Sequence, residues 1–176
     1  MGGVRIVAGI WGRRRISVPR GIDMRPTSDR VREGWLNVLG GELEGARVLD
    51  LFAGTGALGL EAVSRGAAHA TLVERDRRVL RCLRENVAAL DAGDRVTVVE
   101  SDVFRYIDGL AAGAFDIALA DPPYGRGLAE RLVARYMDLP FARILSVEHR
   151  VDETFDLPDG AEQRRYGDTV VTFITE

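Results

Sequence analysis

The sequence predicts an α/β fold: a doubly wound, Rossmann-like sheet of mainly parallel strands with an antiparallel edge, preceded by a β-hairpin. Three observations carry this. Short apolar runs alternate with segments of helical period through most of the chain. The first such run, Val48 to Leu51, ends in a turn bearing Gly54, Gly56 and Gly59 and opening into a helical pattern through Leu58, Leu60 and Val63. The tail breaks the alternation, because Glu162 to Tyr166 and Thr169 to Ile174 flank Gly167-Asp168 as two strands flank a tight turn.

Taken in order, Val4 to Ala8 and Arg15 to Val18 form the hairpin, with an arginine-rich tip at Gly9 to Arg14. Pro19 to Pro26 reads as loop, and Thr27-Ser28-Asp29 offers N-caps to an amphipathic helix marked by Val31, Trp35, Leu36 and Leu39, with Arg30 and Arg32 on its exposed early face. After the glycine turn come a second strand at Ala70 to Val73, a helix over Asp76 to Leu90 and a third strand at Val96 to Val99. A short helix at Val103 to Leu110, a strand at Phe115 to Ala120, a helix at Gly127 to Leu139 and a strand at Ile144 to Val147 follow. No helix is expected between Glu148 and Ala161, and His69 and His149 read as ordinary loop residues.

A chain of 176 residues with 46% hydrophobic and 29% charged residues can bury one full core, so a single globular unit is expected. No apolar run nears the roughly 18 to 20 residues of a membrane span, and the N-terminus lacks a signal-peptide layout, which points to the cytoplasm. Cys82 stands alone, so neither an internal disulfide nor a multi-cysteine metal site is expected, and it reads as a small core side chain. The net charge of −3 is uneven: Met1 to Arg32 holds eight arginines against Asp23 and Asp29, a net +6, which leaves −9 for the remainder. A basic arm on an acidic body suits contact with a polyanion. Every basic side chain is Arg, so the choice of Arg over Lys carries no message.

Ligands of such a sheet gather beyond the carboxyl ends of its strands. Four strands end in an acid there: Asp50, Glu74, Asp102 and Asp121. Glu74 follows the glycine turn at the distance where an acid can accept both hydroxyls of a ribose, so a nucleoside-bearing cofactor is expected. The fourth strand runs into Asp121-Pro122-Pro123-Tyr124. Two prolines fix that loop and remove two N–H donors, leaving the Asp121 carboxylate and the Pro122 carbonyl as acceptors for one external amine, with Tyr124 as a flat face for a base.

These motifs resemble class I S-adenosylmethionine-dependent methyltransferases acting on an exocyclic nucleobase nitrogen. Arg5 to Gly9, Arg25-Pro26-Thr27-Ser28-Asp29-Arg30-Val31-Arg32-Glu33, Asp50 to Glu61 and Asp121 to Tyr124 together resemble the bacterial small-subunit ribosomal RNA guanine-N2 methyltransferases of the RsmD type. The resemblance runs from the hairpin nearly to the last strand. Its one departure is the arm Ile10 to Arg15, where relatives mix in lysine.

The resemblance implies a seven-stranded sheet, with residues 1–25 as an RNA-contacting arm and 26–176 as the methyltransferase domain. It implies that the Gly54 to Gly59 turn, with Thr55 and Gly56, holds the methionine part of S-adenosylmethionine and that Asp50 meets its ammonium. Glu74 would serve the ribose and Asp102 with Val103 the adenine, and Phe52 and Arg75 would also bind the cofactor. Asp121 and Pro122 would align the guanine amine while Tyr124 clamps the base. Arg5, Arg13, Arg14, Arg15, Arg25, Arg30 and Arg32 would contact RNA. It further implies 16S rRNA in an assembling small subunit as partner, a monomer, and no metal. Three rivals share parts of the pattern: an adenine-N6 methyltransferase, since Asp-Pro-Pro-Tyr does not tell adenine from guanine; a nicotinamide-dependent oxidoreductase; and a non-catalytic RNA-binding assembly factor.

Overall fold

The computed structural model describes residues 3–22, 24 and 27–176. Arg25, expected to contact RNA, lies outside them. A two-stranded sheet of β1 (Gly3–Arg5) and β2 (Arg15–Ser17) precedes α1 (Asp29–Leu39) and a 3-10 turn (Gly40–Leu43). Then come β3 (Arg47–Leu51), α2 (Ala57–Ser64), β4 (His69–Glu74), α3 (Arg77–Ala89) and β5 (Val96–Glu100). The chain closes with α4 (Val103–Asp108), β6 (Phe115–Ala120), α5 (Leu128–Asp138), β7 (Ala142–Arg150), β8 (Glu162–Tyr166) and β9 (Thr169–Thr175).

The large sheet has seven strands in the order β5-β4-β3-β6-β7-β9-β8. β5 to β7 run parallel, and β9 joins β7 and β8 antiparallel. The expected architecture is therefore present. The order reverses between β3 and β6, so the crevice for a ligand opens above those two strands. Helices α1, α2 and α3 bury their apolar stripes on one face of the sheet, and α4 and α5 on the other. Caps begin the helices where the sequence offers them: Ser28 accepts from the Val31 N–H, Asp76 from Arg78, and Asp102 from Phe104 and Arg105.

Strand and helix ends differ from the sequence reading in a few places. β7 runs on to Arg150 because β9 pairs with it from Ile144 to Arg150. His149 is therefore a buried strand residue, bonded to the Thr172 hydroxyl at 2.8 Å and packed on the Phe155 ring. His69 opens β4 and bonds Thr97 across to β5. α4 stops at Asp108, ahead of Gly109. No helix lies between residues 148 and 161, as expected.

The hairpin is docked on the body along its length. The Ile10 and Trp11 N–H groups donate to the Ser64 carbonyl and hydroxyl at 2.8 and 3.0 Å, and Ser17 donates to Asn86 at 2.7 Å. Arg32 makes the deepest tie. Its guanidinium donates to Glu61 at 2.8 Å, to the Arg5 carbonyl at 2.5 Å and to Asp29 at 2.9 Å. Arg32 and Glu61 are both fully buried, which corrects the placing of Arg32 on an exposed, RNA-facing surface. Glu61 sits on the inner face of α2, where its charge is offset by Arg65 at 2.9 Å and by Arg32, which α1 turns inward. A phosphate cannot reach it there.

Removing Arg32 takes the fully buried cation from Glu61 and leaves it Arg65 alone. Arg32→Met should lower unfolding free energy by about 1.5–3 kcal/mol, read as a fall in the urea midpoint, and adding Glu61→Leu should recover part of it. A surface-like loss below about 1 kcal/mol would contradict this packing.

Candidate active site

The glycine turn after β3 departs from ordinary backbone at its first step, since Phe52 has φ 62°. A bulky side chain in the left-handed region is uncommon and costs of order 1–3 kcal/mol, a feature that gathers at ligand sites. Gly54 (φ 56°) carries the turn on, and its N–H donates to Glu74 Oε2 at 3.0 Å. Gly59 is needed for a different reason. A Cβ there would stand 2.2 Å from Leu72 Cδ2 and 3.0 Å from Asp50 Oδ2, so its absence lets α2 lie on the sheet. The Gly59 N–H then donates to Asp50 Oδ2 at 2.9 Å.

Above the crevice lies a cavity of about 700 Å3. It brings together nearly every residue expected from the sequence for cofactor and catalysis. Asp50, Phe52, Gly54, Thr55, Glu74 and Arg75 line one part, Asp102 and Val103 the next, and Asp121, Pro122 and Tyr124 the other end. Gly56, at φ 87°, sits behind the turn as the cap of α2. The glycine turn and the proline loop therefore face one space.

Each acid is held differently. Glu74 accepts three backbone N–H groups, from Gly54, Arg75 and Asp76. A carboxylate has about four acceptor directions, so in this conformation one ribose hydroxyl can meet Glu74, where the sequence reading expected two. Asp102 caps α4 and pairs with Arg75 across 3.6 Å at the cavity rim. Asp50 is buried, and that burial, with the charge of Glu74 adding to it, lifts its acid to about 7 against the Gly59 hydrogen bond. Asp121 is pushed up to about 8 by burial and by the charge of Glu148, while a hydrogen bond from Thr27 works the other way. The Tyr124 hydroxyl donates to Glu148 Oε1, and burial together with that carboxylate raises the phenol.

Four participants were not read from the sequence. Glu148, from β7, stands behind the proline loop. Thr27, ahead of α1, donates its hydroxyl to Asp121 Oδ2. Arg131, on α5, lays its guanidinium 3.7 Å from the centre of the Phe104 ring at the cavity wall. Asn86, buried on α3, donates to the carbonyls of Thr55 and Ser17 at 3.0 Å each, so it ties the glycine turn to the hairpin. Glu148 had a signal, since it too is an acid at the carboxyl end of a strand.

Of the arginines expected to meet RNA, Arg5, Arg13, Arg14, Arg15 and Arg30 are exposed. Arg14 is also tied to the Ala89 carbonyl at the end of α3, and Arg5 lies 3.8 Å from Asp29.

A family model described as "Conserved hypothetical protein 95" matches residues 4–175. The chain belongs to this family, the RsmD type that its motifs resemble. It is 45% identical over 132 residues to Ribosomal RNA small subunit methyltransferase D of Escherichia coli K12, a stretch covering 75% of this chain and 66% of that protein. It is 32% identical over 174 residues to the putative rRNA methyltransferase YlbH of Bacillus subtilis, covering 96% and 91%. The solved structure of the putative methyltransferase yhhF from Escherichia coli superposes with a TM-score of 0.83 at 37% identity, covering 98% of this chain and 97% of that one. The fold is thus the class I methyltransferase fold.

The raised acid of Asp50 has a consequence for stability. Unfolded, it titrates near the ordinary aspartate value of 3.8; folded, burial pushes it up to about 7. Below the lower value its contribution is fully present, and it is lost as pH rises through the upper one. Asp50→Asn should therefore gain stability relative to the parent between about pH 5 and pH 8, measured by urea unfolding at both. A difference that does not change with pH would contradict the burial of this charge.

Proposed function

We propose that the chain transfers a methyl group from S-adenosylmethionine to the exocyclic N2 of a guanine in 16S rRNA, acting as a cytoplasmic monomer on an assembling small subunit. The observation that carries this is the single cavity shared by the glycine turn and Asp121-Pro122-Pro123-Tyr124. The names of the relatives support the substrate, since the Escherichia coli protein is a small-subunit ribosomal RNA methyltransferase.

The residues present fit the cofactor. Gly54 carries no Cβ, and the Met24 methyl packs 2.9 Å from where one would stand, so the turn's backbone can meet the methionine part once that flexible side chain shifts; the carboxylate of that part suits the N-terminus of α2. The acids Asp50, Glu74 and Asp121 that line the cavity suit a cation, and S-adenosylmethionine brings both an ammonium and a sulfonium. When bound it supplies a methyl group already on a good leaving group. The chain's own work is alignment and electrostatics. Asp121 accepts from the guanine amine, the Pro122 carbonyl accepts its second hydrogen, and Tyr124, anchored through its hydroxyl, holds the base flat. Deprotonation need not precede attack, because the amine becomes acidic only as it is alkylated. Arg5, Arg13, Arg14 and Arg15 on the hairpin arm of residues 1–25, with Arg30 at the start of α1, hold phosphates without reading sequence.

Methyl transfer from labelled cofactor to small subunits, naked rRNA and duplex DNA tests the reading. Transfer to guanine N2 of rRNA is expected, with Asp121→Ala losing turnover by about 10²-fold or more while cofactor affinity changes only a few-fold. Methylation of adenine in duplex DNA instead, or equal loss of turnover and affinity, would overturn it.

A further inference from the structure

Behind the proline loop, two carboxylates from adjacent strands lie side by side, Glu148 buried and Asp121 half-buried. Asp121 follows the end of β6, and Glu148 lies near the end of β7, one residue beyond the Ala120 to Val147 pairing. Glu148 is 3% exposed. Its Oε1 accepts from Tyr124, and its Oε2 is the one buried side-chain polar atom among the described residues with no partner. The Thr27 hydroxyl serves Asp121. No cation among the described side chains bonds either carboxylate; the nearest tie to one is indirect, through the Arg32 donor on the Thr27 carbonyl at 3.4 Å. The other charged or titratable groups facing the pair are Asp50 from β3 and Tyr124 from the loop itself.

Two like charges so placed cannot both form cheaply, and they titrate as one unit. An uncompensated buried oxygen is also expensive to leave charged. Structure alone does not need Glu148, since the phenol of Tyr124 could be anchored by a neutral acceptor.

We propose that Glu148 is a positioning residue of the reaction, paired with Asp121 in a two-carboxylate unit that takes the proton leaving the methylated amine, and that Glu148 sets the pH at which Asp121 becomes available to do so. The inference rests on the methyl-transfer reading above. Transfer forms an N–C bond and breaks a C–S bond, leaving a cationic nitrogen with two hydrogens. One N–H bond then breaks, its electron pair stays on nitrogen, and the proton passes to the Asp121 carboxylate. The unit loses one negative charge, the product amine is neutral, and the proton later leaves to solvent through the cavity. Burial and the Glu148 charge both raise the proton affinity of the Asp121 carboxylate above that of an ordinary aspartate, so it is the stronger acceptor once ionised and becomes available only at higher pH.

Glu148→Gln keeps the shape and the acceptor for Tyr124 while removing the second charge. Single-turnover methylation rates of the parent, Glu148→Gln and Tyr124→Phe across about pH 5.5 to 9.5 test the proposal. The acid limb of the Glu148→Gln profile should move to lower pH by on the order of one unit, whereas Tyr124→Phe, which takes a donor from Glu148, should not move it downward. A limb that stays in place while the rate falls uniformly marks Glu148 as merely structural and overturns the proposal. Carboxyl-carbon NMR titration of the unliganded chain gives an independent readout. Two coupled steps for Asp121 and Glu148 support the unit; a single aspartate step in the ordinary range overturns it, even if Glu148→Gln fails to fold. A parent chain that transfers no methyl group, yet shows the coupled steps, would fail the functional reading and leave the carboxylate unit standing.

Discussion

Carboxylates held out of water at one edge of a sheet are the constraint on which the rest depends. Asp50, Asp121 and Glu148 each sit where ionisation is disfavoured, and no buried arginine bonds any of them. Contrast Glu61, equally buried, which the chain answers with Arg32 and Arg65 at 2.8 and 2.9 Å. A protein that can neutralise one buried acid so fully, and among its described residues bonds no cation to three others, is shaped for a cation from outside. The cavity, the left-handed Phe52 and the bare Gly54 make the space for it.

The Arg32 and Glu61 pair does its work at a distance from that site. It joins the hairpin, through the Arg5 carbonyl and the Val7 N–H, to the helix that starts at the glycine turn. The same guanidinium reaches the Thr27 carbonyl, and Thr27 holds Asp121. The order of charges from the basic hairpin to the acidic cavity is thus fixed by one buried cation. Asn86 adds a neutral tie between the same parts. An RNA gripped at the hairpin would be gripped at a set distance from the proline loop.

Much of this was legible in the sequence, because periodicity and punctuation are local. Seven strands, the capped helices and the four acids at strand ends followed from short windows, and the common cavity followed from the strand-order rule. Burial of a charge is not local, and there the reading failed. Arg32 sits among other arginines in a basic stretch, and only the fold shows that Glu61, on another helix, faces it. Glu148 and His149 were lost for a related reason: β7 outruns its apolar stretch because β9 supplies hydrogen bonds along it, so polar residues end up inside a strand. The count of ribose hydroxyls on Glu74 likewise depends on N–H groups that no spacing reveals.

If desolvated acids wait for a cationic cofactor, binding must shift their protons. Calorimetry of S-adenosylmethionine binding at about pH 6.5, just under the value to which Asp50 is raised, in buffers of different ionisation enthalpy measures that exchange. The account predicts net proton release and an affinity that rises with pH. Binding with no proton exchange, or with uptake, would contradict it.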